Sequence, residues 1–323
     1  MELSPEQKKK VQEVCMNLLH YAPDISQIRL TYGHGDFIRF KTEKHKNGWL
    51  KVYYWRGVLT LTCCDWAKDM PECRWSDTDG KISSPLTSEQ RQEYENAVRE
   101  ADEREKKAIA AFEPYFLSLP QIDGTIEERG VTHPYLESKG LMYSRVGRWD
   151  NNSRELIFPM YNRNYEVKGL QRIFWNRYEE KFSKGYAEFT HPVGLFCALF
   201  PAGKNRLDFM YAVEGMATGL SVYEATGRMV VVTYMAGNLR DGIESAAAWL
   251  SKKCHRTTAE ELARRFVIVT DNDISQTGEK YAKDACKALG CRYMLIPETG
   301  LDANDYMQKY GSERLGELLN EKI

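Results

Sequence analysis

The sequence predicts two α+β parts followed by an α/β domain built on an open, parallel, Rossmann-like sheet. Three observations carry this expectation. The 323 residues are enough for about two domains of ~150 residues, each with a core of its own. The first 85 residues contain alternating, aromatic-rich stretches of the kind that form short strands. After Arg206 the pattern becomes strand then helix, repeated, and such units lay parallel strands beneath covering helices.

The elements follow in order. The opening MELSPEQKKKVQEV reads as a capped helix start and lacks the apolar stretch and small-residue cleavage site of a secretory signal. Residues 35–40 and 49–61, the latter punctuated by Gly57, alternate as strands do, so residues 1–85 are expected to form a small β-rich module. Thr87 and Gln90 have capping-box spacing, and 12 of the 19 residues from 89 to 107 are charged, with both signs interleaved. Residues 86–112 are therefore expected to be a solvated linker helix, a nucleic-acid-binding arm being the other reading. Residues 113–205 hold strand candidates at 156–161 and 166–174, bounded by Asn151, Asn152, Asn162 and Asn164, and read as a mixed α+β subdomain. In residues 206–323, strands at 209–213, 229–232, 266–270 and 292–296 alternate with helices: one from about Ala217, one over 239–253, one from Glu279 closed by Gly290, and a last one.

Composition narrows the function. No window approaches the ~18 uninterrupted apolar residues of a membrane span, so no transmembrane protein is expected, and the lack of a secretory signal leads to the expectation of a cytoplasmic one. The eight cysteines show no framework spacing and read as reduced thiols. A net charge of -1 argues against non-specific coating of nucleic acid, yet leaves room for a local basic groove, because metal-holding carboxylates subtract from the total.

Acidic residues placed just past parallel strands can converge although distant in sequence, because the ligand crevice of an open α/β sheet lies at the carboxyl ends of its strands. Glu214 follows FMYAV, Asp271 and Asp273 follow RFVIVT, and Asp302 and Asp305 follow the strand ending at Ile296. Any one of these could simply cap a helix or fill a turn. As an ordered set they suit magnesium, which takes oxygen ligands from one or two carboxylates plus substrate phosphates.

Glu214 in VEGMATGLS, Asp271 and Asp273 in VIVTDND, and the downstream DANDY together resemble the Toprim domain shared by DnaG-type primases, type IA and type II topoisomerases and some nucleases, in order and spacing over about residues 206–310. EGMATGLS with AGNL, DND and DANDY is similar to the Toprim primases of plasmids and phages. Upstream, HPYLESKGL, RELIFPMYNRNYEVKGLQRI and EKFSKG resemble the N-terminal half of the DnaG catalytic core, which extends the likeness over about residues 133–310. The resemblance implies a DNA primase, a nucleotidyltransferase that makes short primers on single-stranded DNA from nucleoside triphosphates. It implies that Glu214, Asp271 and Asp273 bind the catalytic Mg2+ or Mn2+, with Asp302 and Asp305 as accessory acids. It also implies that Arg172, Lys181 and Lys184, with Lys168, lie where the family's basic residues meet template and nucleotide phosphates. The residues themselves agree: 163–184 hold six basic against three acidic residues, interleaved with Phe174, Trp175 and Tyr178, as suits phosphate contacts combined with base stacking. A solvated sheet face is the alternative.

Other signals carry less. Bacterial replicative primases carry a zinc ribbon, but no CxxC pair occurs here, and Cys63, Cys64 and Cys73 with His34 and His45 lack zinc spacing, so no zinc is expected. PAGKN at 201–205 is not a Walker motif, since Ala198 and Asn205 stand where glycine and Ser or Thr are required. A helicase is therefore expected as a separate partner. His20, His133, His191 and His255 show no metal or triad spacing. Competing functions are a Toprim nuclease, which would aim water at a phosphodiester with the same acids, and a non-catalytic accessory protein of replication that binds nucleic acid.

Overall fold

The computed structural model describes residues 4–21, 38–42, 45–55, 58–65, 73–77, 88–120, 133–141, 143–201, 207–254, 256–273 and 276–321. The chain divides into two compact units, Met1–Glu105 and Lys106–Ile323.

In the first unit, α1 (Pro5–Leu19) starts on a reciprocal cap: Ser4 Oγ accepts from the Gln7 amide at 3.2 Å and the Ser4 amide donates to Gln7 Oε1 at 2.8 Å. Val11, Val14, Cys15 and Leu19 recur at helical spacing and bury one stripe against Phe40, Leu50, Val52, Leu59, Leu61 and Cys63. Those partners come from an antiparallel meander of β1 (Ile38–Thr42), β2 (His45–Trp55), β3 (Val58–Asp65) and β4 (Cys73–Ser76), in spatial order β1-β2-β3-β4. Of the segments expected to be strands, residues 35–37 and Gly57 lie outside the described residues, as does His34. The thiols of Cys15, Cys63 and Cys64 are buried.

The charged segment is a helix, α2 (Ser88–Ser118), which continues past the expected end at 112. The reason is packing. Phe112, Phe116 and Leu119 pack against Ile157, Val167 and Leu170, so the end of α2 belongs to the core of the second unit instead of being a solvated connection. The proposed cap residue Thr87 lies outside the described residues.

The second unit continues with α3 (Pro134–Ser138) and an antiparallel sheet of β5 (Arg148–Asp150), β6 (Glu155–Tyr161), β7 (Val167–Asn176) and β8 (Lys181–Tyr186). Then come β9 (Cys197–Leu199), β10 (Met210–Val213), α4 (Met216–Thr226), β11 (Val230–Val232), a 3-10 turn (Ala236–Asn238), α5 (Leu239–Ser251), α6 (Ala259–Ala263), β12 (Phe266–Thr270), α7 (Thr277–Leu289), β13 (Arg292–Leu295), α8 (Ala303–Tyr310) and α9 (Ser312–Glu321). Their sheet has the order β13-β12-β10-β11-β9. β10 to β13 are mutually parallel, as expected, but β9 pairs antiparallel with β11 through Cys197, Ala198 and Leu199. The sheet is thus mixed, and its edge strand comes from the segment expected to belong to the preceding subdomain.

The near-continuous apolar runs of β10, β11 and β12 suit strands covered on both faces. Tyr211, Val213, Val230, Val232, Val267 and Val269 face α4, α8 and α9. Met210, Ala212, Val231, Phe266 and Ile268 face α5, α6 and α7. α4 lies so close to the sheet that a Cβ on Gly219 would stand 2.6 Å from Val232 Cγ2, which only glycine permits. No helix of the described residues is long and apolar enough to cross a membrane.

Candidate active site

The strand order places β10 between β11 and β12, so the connections leaving β10 and β12 pass to opposite faces and leave a crevice at their carboxyl ends. Glu214 is the first residue past β10 and Asp271 the first past β12. Asn272 carries the next acids in: its side-chain nitrogen donates to Ile296 O at 3.0 Å, its amide donates to Leu301 O at 3.3 Å and its carbonyl accepts from the Gly300 amide at 2.6 Å. This ties the loop holding Asp271 and Asp273 to the loop that ends in Asp302. A Cβ on Gly278 would stand 2.6 Å from Thr270 Oγ1, so glycine also lets the first turn of α7 close over the end of β12.

The electrostatics register the convergence. Burial, followed by the charges of Asp302, Glu214 and Asp273, pushes the Asp271 carboxyl up to about 7, against the pull of the Lys184 ammonium. Burial also raises Glu214, with Asp273 adding to the shift and Lys184 and a backbone hydrogen bond at Ala236 opposing it. Glu214 exposes part of its surface yet is crowded by protein atoms, the condition of a carboxyl in a cleft. Lys184 reaches in from β8: a Cβ on Gly215 would lie 3.7 Å from its Nζ.

Asp302 and Asp305 are placed differently. Asp302 is the N-cap of α8; its Oδ1 accepts from the Asp305 amide at 2.8 Å, and the Asp302 amide lies 3.4 Å from Asp305 Oδ2. Thr218 Oγ1 lies 3.5 Å from Asp302 Oδ2. Asp302 therefore serves the cap and still acts on Asp271, whereas Asp305 is turned to the cap.

Among the described residues, no three His, Cys, Asp or Glu side chains enclose one point closely enough to hold a metal ion. The acids are electrostatic neighbours without being a closed cage, and magnesium held partly by substrate phosphates needs only one or two of them. Two features fit a cation and the oxygens it would carry: the repulsion at Asp271, which Lys184 only partly offsets, and the hydroxyl of Tyr135. That hydroxyl is buried, has no hydrogen-bond partner among the described residues, and feels the charge of Asp302.

The basic residues expected to share one groove are divided. Cross-strand pairs Ile173 with Lys184 and Trp175 with Phe182 put Lys184, Phe182 and Trp175 on one face of the β7–β8 ribbon. Arg172, Phe174 and Lys181 take the other. Arg172 is held bidentately by the buried carboxylate of Glu155, both contacts at 2.6 Å, while its side chain stays partly exposed. Lys181 pairs with Glu179 at 3.0 Å and Lys168 with Glu166 at 3.3 Å, both on the surface. Of the four, Lys184 is the one brought to the acids.

Sequence reasoning passed over two amides inside the recognised motifs. Asn238 of AGNL is fully buried; its Nδ2 donates to Leu195 O and Thr233 O, each at 2.8 Å, and its Oδ1 accepts from the Gly194 amide at 2.7 Å. Asn304 of DANDY, equally buried, donates to Lys139 O at 2.8 Å and to Ser221 Oγ at 3.0 Å, tying α8 to α4 and to the end of α3. His133 caps α3 by accepting from the Tyr135 amide at 3.1 Å. His255 and residues 202–205 of PAGKN lie outside the described residues.

Residues 209–313 match the family model of the Toprim domain, so this α/β part of the chain is a Toprim domain. Three solved structures match the chain in part and at low identity. The RNA polymerase domain of Mycobacterium tuberculosis primase DnaG is 14% identical with a TM-score of 0.37, the match covering 63% of this chain and 67% of that one. The E. coli primase catalytic core is 16% identical with a TM-score of 0.35, over 69% of this chain and 72% of that one. The Aquifex aeolicus primase, with zinc-binding and RNA polymerase domains, is 15% identical with a TM-score of 0.39, over 99% of this chain and 86% of that one. The chain thus spans about two thirds of the length of the first of these.

Proposed function

We propose that this protein is a DNA primase of the kind found on plasmids and phages, a metal-dependent nucleotidyltransferase that makes short primers on single-stranded DNA in the cytoplasm. The observation that carries the reading is the meeting of Glu214 and Asp271 at the switch point of a Toprim sheet, with Asp273 and Asp302 adding charge and Lys184 opposing it. Chain growth requires a 3'-hydroxyl to attack the α-phosphate of a nucleoside triphosphate in line, so the protein must chiefly position phosphates and balance charge. Glu214, Asp271 and Asp273 would hold Mg2+ or Mn2+, which supplies hydroxyl activation and charge neutralisation when bound. Asp302 adds a second line of negative charge, Lys184 offers a phosphate contact beside the acids, and the Tyr135 hydroxyl is a donor available to a bound oxygen. A separate helicase would open the duplex.

The test is incubation with single-stranded DNA, labelled nucleotides and magnesium or manganese. New short oligomers that require metal are expected. A shortened template would make the protein a Toprim nuclease, and a band shift without either product would make it a binding protein.

A further inference from the structure

The face of the β7–β8 ribbon that carries Lys184 packs into the core at Gln171 and Ile173 and opens at Trp175. Trp175 is 51% exposed although it is a large aromatic side chain on a strand, and it meets Phe182 edge to face at 5.1 Å between ring centroids. Phe182 in turn packs against Tyr135 at 5.6 Å, so one flank of the tryptophan is braced by the core while about half of the residue stays exposed. The pair directly opposite each other, Trp175 and Phe182, lies one same-face row from Ile173 and Lys184. Successive same-face rows on a strand are about 7 Å apart. A braced aromatic surface therefore stands one row outside a cation that itself reaches the acidic crevice.

We infer that Trp175 is a base-stacking platform: a nucleobase lies on its open side while the phosphate joined to that base reaches Lys184. The chemistry is complementary on both counts, since a π-face meets a base of any sequence and an ammonium meets the phosphate. Phe182 acts as the positioning residue by fixing the angle of the indole. The inference rests on the proposed action on nucleic acid and adds to it the place where a base is held.

The experiment compares base-bearing with base-free ligands on the full chain by fluorescence anisotropy. A thymidine oligomer is set against an abasic strand of equal length, and a nucleoside triphosphate is set against inorganic triphosphate as competitor. Wild type should prefer the base-bearing member roughly 5- to 100-fold. Trp175→Ala should lose that preference with an unchanged salt slope, and Trp175→Phe should keep most of it. An effect confined to the strand pair assigns the platform to template; one confined to the triphosphate pair assigns it to the incoming nucleotide. A Trp175→Ala protein that still synthesises primers and still prefers bases as wild type does overturns the platform alone. A wild-type protein that binds none of the four ligands overturns the proposed function and the platform together.

Discussion

Glu214 and Asp271, past β10 and β12, and Asp302 and Asp305, at the start of α8, are acids at the same edge of one sheet, and the protein treats them differently. Asp302 and Asp305 face backbone amides at the head of a helix, where a carboxylate is compensated by hydrogen bonds and by the helix dipole. Asp271 is surrounded by the charges of Asp302, Glu214 and Asp273 and is pushed up to about 7. Position after a strand therefore does not identify a metal ligand. What sets the proposed ligands Glu214 and Asp271 apart is negative charge concentrated in a cleft and only partly offset by Lys184, the balance being left to a cation or to the protons of a lower pH.

Activity should split the two pairs most widely. Asp271→Asn and Glu214→Gln, which keep side-chain shape and remove charge, should each lower metal-dependent primer synthesis by about 100-fold or more. Asp305→Asn should stay within a few-fold of wild type, because its carboxylate serves the cap. Extension of labelled nucleotides on single-stranded DNA measures all three. Equal losses at Asp271 and Asp305 would erase the distinction.

Stability should separate them with opposite signs. Asp271 has a folded-state pKa of about 7, above the ordinary value near 4. The folded protein thus holds a proton here that the unfolded chain releases, and the contribution of Asp271 to stability is lost as pH rises from about 4 through 7. Asp271→Asn lacks the group and should be the more stable protein at pH 7.5, by about 1 to 2 kcal/mol after allowing for partial solvation. That gap should close toward pH 4 and on addition of magnesium at pH 7.5. Asp305→Asn removes a charge that the α8 dipole favours and should lose about 0.3 to 1 kcal/mol at neutral pH. Urea denaturation across pH 4 to 8, with and without magnesium, provides the comparison.

Much of this was legible in the sequence, and the exceptions have physical causes. β12 was readable to the residue because FVIVT is a continuous apolar run ended by an aspartate. β9 was not, since three residues of CAL show no period and acquire a partner only when β11 is in place. The acids were visible because charge after an apolar strand stands out. The ion pair of Arg172 was not legible, because composition does not reveal which face a side chain takes, nor that Glu155, 17 residues earlier, lies directly within its reach. Asn238 and Asn304 escaped because an uncharged amide gives no signal until the backbone groups it joins are brought around it.

The basic residues offer a finer version of the same contrast. Lys184→Ala should reduce the slope of log affinity against log salt for single-stranded DNA by about one unit, as expected for one lost phosphate contact. Arg172→Ala should leave that slope unchanged and instead lower stability by about 1 to 2 kcal/mol, since it strands the buried Glu155 carboxylate while part of the pair remains solvated. A slope that drops for Arg172→Ala would return this residue to the phosphate path.

The smallest effect concerns Tyr135, which adds a buried donor to the uncompensated side of the comparison. Its hydroxyl has no protein partner among the described residues, so folding strips it of water and gives nothing back. Tyr135→Phe keeps the ring against Phe182 and removes only the stranded oxygen. Without metal or nucleotide, the variant should therefore match wild type or exceed it by up to about 1 kcal/mol. With magnesium and nucleoside triphosphate present, wild type gains a partner for the hydroxyl from the oxygens gathered near Asp302, and the variant does not. The rise in melting temperature on adding ligand should accordingly be smaller for Tyr135→Phe, a difference that a general loss of packing would not produce. If the variant is clearly less stable than wild type before any ligand is added, the hydroxyl already has a partner in the folded protein, and Tyr135 belongs with Asp305 among the groups the fold has satisfied for itself.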